Sequence, residues 1–228
     1  YQAMITATEY KARLARGETG TLTHVYRADG ESPVIQVQIT KAEAMADGVT
    51  KYEFQPVAGG DLPPWQAGAH LDIVIAPEYL RQYSMSGDPA DRSTYQIGVL
   101  REDAGRGGSK LLHRIFDKGR RIFVSRPINH FPLDATATHS VLMGGGIGIT
   151  PMIAMGHELH AQGRSFELHY SGRSRSSMGF LSYLAGFAWS DQVRLHITDE
   201  GSRADLEQIM AAYQAGWHVY TCGAERYM

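Results

Sequence analysis

A single cysteine, Cys222, is all the thiol chemistry that this 228-residue chain carries. An internal disulfide is excluded, and so is a zinc or iron–sulfur centre held by four thiolates of these residues. So sparse a use of cysteine predicts a reducing, cytoplasmic setting. No apolar run approaches the roughly 18 residues needed to cross a bilayer. The N-terminal stretch YQAMITATEYKARLARGE lacks the long apolar core of a secretory signal. Neither sign of charge dominates: 22 Lys and Arg stand against 24 Asp and Glu, a formal net charge of −2. That balance leaves no electrostatic footprint for nucleic acid. Three enzyme signatures are missing as well. There is no G-x-S-x-G nucleophile elbow. HELH at 157–160 spaces its histidines i, i+3, which fails the H-E-x-x-H zinc pattern and reads as helix surface. The dinucleotide fingerprint G-x-G-x-x-G fails because Ile149 stands where its third glycine belongs.

What the chain does have is a core and two rhythms. Apolar residues make up 43% and charged residues 20%, the composition of a folded globular protein. Residues 1–32 form an N-terminal extension, helical at first around Tyr10 and Leu14, then turn-rich to Asp29-Gly30. From Val34 to Pro132 short strands follow one another: VIQVQI, TKYEFQPV, HLDIVIA, RQYSMS, TYQIGVL and RIFVSRP, with one helical stretch, SKLLHRIF. Six short strands separated by turn residues predict a small antiparallel β-barrel. After FPLDATAT (131–138) strands and helices alternate: strand SVLMGG, helix TPMIAMGHELHAQG, strand FELHYSG, helix SSMGFLSYLAGFA, strand QVRLHIT, helix ADLEQIMAAYQAG, strand WHVYTCG. Strict alternation means parallel strands with helical crossovers, an α/β nucleotide-binding architecture. Thr150 is expected as the N-cap of the first of these helices, with Pro151 in its first turn.

Three stretches carry candidate chemistry. In Arg81-Gln82-Tyr83-Ser84, Arg81 and Tyr83 share one strand face and Ser84 takes the other. A flat ring could stack on Tyr83 while Arg81 reaches a phosphate tail; a polar exposed strand is the alternative. In GRGGSK (105–110), which is not a Walker A loop, Gly107, Gly108 and Ser109 offer backbone N–H groups and a hydroxyl at a helix start, with Arg106 nearby. That suits a phosphate monoester, or the stretch is a plain flexible loop. In MGGGIGITP (143–151) glycines after a strand let a ligand approach backbone and a helix N-terminus, or make a tight turn with no ligand.

Taken together, RQYSMSGDPADRSTYQIGVLREDAGRGGS, SRPINHFPL, GGGIGITPM, FELHYSGRSRS and YTCGAE stand in an order that resembles the phthalate dioxygenase reductase type of flavin reductase, within the ferredoxin–NADP reductase superfamily. The resemblance covers residues 34–228. It implies an antiparallel flavin-binding β-barrel (33–134) followed by a parallel-sheet NAD(P)H-binding α/β domain (135–228), the ferredoxin reductase-like fold.

By the same resemblance, Arg81, Tyr83 and Ser84 hold the flavin, and Gly98, Val99 and Leu100 run along its ring. Gly107, Gly108 and Ser109 take the phosphate, which favours FMN over FAD. Gly146, Gly148 and Thr150 position nicotinamide, Cys222 and Gly223 close its pocket, and Arg173 joins the nucleotide site. Ser84, Thr150 and Cys222 are the residues expected nearest the reacting atoms, and no metal ligand is expected. Arg173 and Arg175, with no carboxylate in RSRSS, would tolerate a 2′-phosphate, yet family habit favours NADH. Ala224 replaces the proline that usually follows Cys-Gly. Relatives continue into a 2Fe-2S ferredoxin domain with four cysteines, which is expected to be absent from this chain or supplied by a separate ferredoxin. The implied activity is an oxygenase reductase: two electrons enter from NAD(P)H on FMN and leave singly, through a 2Fe-2S centre, to a Rieske-type or haem oxygenase. A stand-alone flavin or ferric reductase, or a flavin-binding module without turnover, are the alternatives.

Overall fold

The computed structural model describes residues 34–76, 79–105 and 107–224. The N-terminal extension and Arg106 lie outside the described residues.

Seven strands build the first sheet: β1 (Val34–Ala46), β2 (Val49–Pro56), β3 (Ala69–Ala76), β4 (Tyr79–Ser84), β5 (Tyr95–Leu100), β6 (Arg121–Ser125) and the short β7 (Ile128–Asn129). Their pairing order is β4-β3-β6-β1-β2-β5, antiparallel throughout, with β7 beside β3. Alternation drives the curl. Val37 and Ile39, Leu71 and Ile73, and Tyr95, Ile97 and Val99 are all fully buried on one face. β1 and β2 are joined through Asp47-Gly48, where Gly48 (φ 71°) takes the left-handed conformation that the tight turn needs. The expected barrel does not close. Among the described residues the end strands β4 and β5 are joined by one isolated bridge, Met85 to Ile97, and by no ladder beyond it. The helix α1 (Gly108–Ile115) crosses after β5.

The second sheet has the parallel order β10-β9-β8-β11, from β8 (His139–Gly145), β9 (Phe166–Gly172), β10 (Val193–Ile197) and β11 (Trp217–Cys222). Helix α2 (Ile149–Ala161) crosses from β8 to β9. Nine of its 13 residues are buried, so it is apolar nearly all round, as a helix wedged between two layers must be. The wedge explains a correction to the sequence reading. His160 is exposed, but His157 accepts from Trp189 Nε1 (3.4 Å) and packs on the Phe187 ring. Glu158 Oε2 accepts from the Ala67 amide at 2.7 Å, tying α2 to the first sheet.

Two further expectations change. The helix expected over 176–188 is a 3-10 turn (Arg175–Ser177) and then a short α3 (Leu181–Ala185). Between them Phe180 adopts φ 69°, which reverses the chain so that its ring reaches Gly98 of β5. The last helix, α4, spans only Leu206–Ala211, capped by Asp205 accepting from the Gln208 amide.

The sheets are joined by a buried cation. Lys51 of β2 is fully buried; its ammonium donates to Glu53 Oε1 (2.8 Å) and to the hydroxyl of Tyr183 in α3, and lies 3.4 Å from Glu43 Oε2. The Asp47 amide also donates to Ser176 O at 2.9 Å.

Candidate functional site

The open seam between β4 and β5 is the organising feature. Antiparallel continuation from the Met85–Ile97 bridge would set Ser84, Tyr83 and Gln82 against Gly98, Val99 and Leu100. Instead no ladder joins the two edges, and the unpaired seam between them is the candidate slot. Arg81 and Tyr83 pair with Ile73 and Leu71, so they share one face of β4. Burial pushes the Tyr83 phenol up to about 12, which keeps it neutral.

At one end of the slot stands the N-terminus of α1. Gly107 (φ 86°) precedes it, with no side-chain cap and no acidic residue in the first turn. A Cβ on Gly108 would lie 2.8 Å from Arg81 Nε, and one on Gly107 would lie 3.1 Å from Tyr79 Oη. Glycine is what lets the helix start rest on the guanidinium. Arg81 is itself held by donation to Leu80 O (2.8 Å) and lies over the Tyr79 ring. The Ser109 hydroxyl oxygen accepts from the Glu102 amide at 3.0 Å, which leaves its own proton free to donate. A guanidinium lies on the start of a helix whose first turn also carries a hydroxyl, a combination of groups with the chemistry to take an anion.

His113 of α1 steadies this end, and sequence reading missed it. Burial pushes its pKa down, so the ring is neutral. Its Nε2 lies 3.2 Å from Val99 O and therefore carries the proton; Nδ1 is left to accept from Thr50 Oγ1 at 3.4 Å. The Val99 carbonyl, expected to face a ring, is engaged by this histidine. Nothing in a helical KLLHR pattern marks which strand carbonyl the histidine will meet.

The other end of the slot opens toward the second sheet. Ser84 and Gln82 of β4 and His70 of β3 line a cleft of about 210 Å³ whose far wall is Pro151 of α2 and Cys222 of β11. The cleft adjoins the carboxyl ends of β8 and β11, where strand order reverses, the place at which α/β sheets bind ligands. Gly148 is required there: a Cβ would overlap Cys222 O at 2.1 Å and press on the Gly223 amide at 2.7 Å. Gly146 (φ 54°) has open space around it. Burial pushes the Cys222 thiol up, so it stands as a neutral wall and not as a nucleophile. A larger depression of about 350 Å³ beside Pro64 and Trp65 contains none of these groups.

Thr150 departs from its expected role as N-cap. Gly148 occupies the cap position because its backbone is pinned under Cys222. Thr150 sits within the first turn, 4% exposed, its hydroxyl donating to Ile147 O at 3.0 Å and its methyl set against Gly98. Arg173 is not brought to the cleft. It stands exposed past the end of β9, 3.9 Å from Asp199.

No protein-family model matches the chain. Individual proteins do. A vanillate O-demethylase oxidoreductase from a Pseudomonas species is 39% identical over 197 residues, 86% of this chain and 62% of that one. The structure of a phthalate dioxygenase reductase, described as modular for electron transfer from pyridine nucleotides to [2Fe-2S], superposes with a TM-score of 0.81 at 34% identity, over 86% of this chain and 62% of that one. Over most of its length the chain is similar to vanillate O-demethylase oxidoreductase and phthalate dioxygenase reductase. The ferredoxin reductase-like fold follows, with the open antiparallel sheet first and the parallel sheet second. An intact type IV self-sufficient cytochrome P450 monooxygenase contains the same unit, with a TM-score of 0.80 at 41% identity over 85% of this chain and 25% of that one. The chain spans 54–62% of the length of the curated relatives it matches.

Proposed function

We propose that this chain is the hydride-accepting part of an oxygenase reductase: an NADH-dependent FMN oxidoreductase that passes electrons onward, through a 2Fe-2S centre, to a terminal oxygenase. The observation that carries the reading is the stacking of Arg81 on the N-terminus of α1 at one end of the β4–β5 slot, with the Ser84–Cys222 cleft at the other. A phosphate monoester would take the first end, a flat ring the slot and a second ring the cleft.

The residues then divide the labour. Arg81, Ser109 and the Gly107-Gly108 amides would hold the FMN phosphate, and neutral Tyr83 would offer a ring face. Ser84 would present a hydroxyl to the ring edge, and Gly98, Val99 and Leu100 would flank it with backbone. Gly146, Gly148, Thr150, Cys222 and Gly223 would shape the nicotinamide wall and exclude water. The chemistry supplied by the bound pair is transfer of a hydride from nicotinamide to flavin, which asks the protein for positioning more than for acid–base groups.

In this reading the first sheet is the flavin domain and the second the nucleotide domain, with the boundary between Asn129 and His139. The relatives are named for a vanillate O-demethylase, a phthalate dioxygenase and a cytochrome P450, which supports a Rieske-type or haem oxygenase as partner. The single cysteine supports a cytoplasmic setting, and no helix among the described residues is long and apolar enough to cross a membrane.

The test is spectroscopic. The purified 228-residue chain, loaded with FMN, should bleach on addition of NADH and reduce ferricyanide. It should reduce cytochrome c poorly until a plant-type ferredoxin is supplied, because one thiol cannot hold a four-cysteine cluster. Flavin that stays oxidised under NADH would leave only a binding module.

A further inference from the structure

The loop after β9 contains Arg173 and Arg175, and the sequence offers no carboxylate beside them. The structure supplies two, from the next loop. β9 and β10 are parallel neighbours, so their carboxyl ends lie side by side. Arg175 makes a two-pronged ion pair with Glu200, Nε to Oε1 at 2.6 Å and Nη2 to Oε2 at 3.0 Å. Arg173 lies 3.9 Å from Asp199, whose amide donates to Arg173 O at 2.9 Å. Two guanidinium groups and two carboxylates form a quartet of net charge zero.

Its position gives it a consequence. In a βαβ unit the carboxyl end of the second strand receives the adenosine ribose of a dinucleotide. Here that strand is β9, and the quartet stands directly beyond it. A ribose 2′-OH can donate to a carboxylate. A 2′-phosphate, with nearly two negative charges, must instead take a guanidinium away from a carboxylate that already fills its fork and then remain beside that carboxylate.

We propose that Glu200, assisted by Asp199, sets the choice of nucleotide by occupying the arginines that would otherwise bind a 2′-phosphate. Glu200 is a specificity residue acting through Arg175, and the arginines are a latent 2′-phosphate site. The proposal rests on the reading of the second sheet as the nucleotide domain.

The experiment uses two fragments that need no turnover, 5′-ADP and 2′,5′-ADP, titrated calorimetrically into the FMN-loaded chain. The wild-type chain should bind 2′,5′-ADP no better than 5′-ADP. Glu200→Gln should tighten 2′,5′-ADP about tenfold while moving 5′-ADP less than threefold. The conservative Glu200→Asp should keep most of the wild-type ratio, and adding Arg175→Ala to Glu200→Gln should erase the gain. The ratio of kcat/KM for NADPH over NADH should move in parallel. A wild-type preference for 2′,5′-ADP, or equal shifts for the two fragments in Glu200→Gln, overturns the proposal. So does a gain that survives Arg175→Ala. NADH bleaching of the flavin without any fragment shift would sink this inference alone. A fragment shift without bleaching would sink the catalytic reading alone, and binding of neither fragment would sink both.

Discussion

Gly98 and Thr150 meet across the two sheets with no room for another carbon: a Cβ on Gly98 would stand 2.7 Å from Thr150 Cγ2 and 2.8 Å from Phe180 Cζ. Both neighbours are buried, so neither can swing away into solvent. Gly98→Ala should therefore cost about 1–3 kcal/mol, the usual price of overpacking, and should push the start of α2 away from β5. Urea midpoints measure the first effect and the rate of flavin bleaching the second. Thr150→Ser in the Gly98→Ala background removes the opposing methyl and should restore part of both.

Arg81→Ala deletes the guanidinium that rests on the start of α1. Hydrogen bonds to charged groups are worth about 1.5–3 kcal/mol, so FMN affinity should fall roughly 10- to 100-fold. The fold should survive, because Arg81 is only half-buried and its carbonyl partner, Leu80, is adjacent in sequence. Fluorescence titration of the flavin-free variant with FMN reads the change. Full yellow colour at unchanged affinity would contradict the assignment.

Five histidines are held neutral by burial: His70, His113, His139, His157 and His196 all have pKa values pushed below the ordinary imidazole value. In the unfolded chain each binds its proton near pH 6.5, before the folded state does. Stability from these groups is therefore present above about pH 6.5 and is lost as pH falls through the lower folded values. Urea midpoints should drop steadily from pH 7 toward pH 5. His157→Gln, at the Trp189–Phe187 contact, should flatten that slope.

Burial acts with the opposite sign on the phenols. Tyr52 and Tyr83 are pushed up to about 12, whereas an unfolded tyrosine ionises near 10. Their contribution is complete below about pH 10 and disappears as pH rises through about 12. Ultraviolet titration of phenolate should show a late-ionising class that merges with the others once the chain unfolds.

Lys51 has no water to fall back on. Removing its charge partner or the charge itself leaves buried polar groups uncompensated, and Lys51→Ala should cost about 3 kcal/mol. Because one partner, Tyr183, belongs to the α3 segment, the same variant should loosen the two sheets together. Tyr183→Phe, which keeps the ring, should cost about 1 kcal/mol. A double-mutant cycle checks that the two effects are coupled.

The sequence made the strands and the glycine turns legible because both are local. Leu71, Ile73 and Ile75 alternate whatever the rest of the chain does, and Gly107-Gly108 before an amphipathic helix announces a close approach. What it hid was contact at a distance. Glu200 meets Arg175 across 25 residues, so a search for a carboxylate within RSRSS could not find it. Lys51 in TKYEFQPV reads as a solvated strand charge and is buried because Tyr183 covers it. Phe180 breaks the expected helix through a left-handed backbone that no propensity favours for a bulky residue; its ring lies against Gly98, far away in sequence. The N-cap expected at Thr150 moved to Gly148 because the Cys222 backbone leaves space for nothing larger.

The seam between β4 and β5 has a cost of its own. A sheet that stops short of closure keeps two edges that no neighbouring strand covers, and such edges can template pairing with other chains. A flat molecule bound along the seam would blunt those edges and so guard the chain against self-association. Flavin-stripped protein should scatter light increasingly on standing at micromolar concentration. Returning FMN before the rise should hold the solution clear, while free riboflavin, which lacks the phosphate that Arg81 and the α1 N-terminus would anchor, should protect far less.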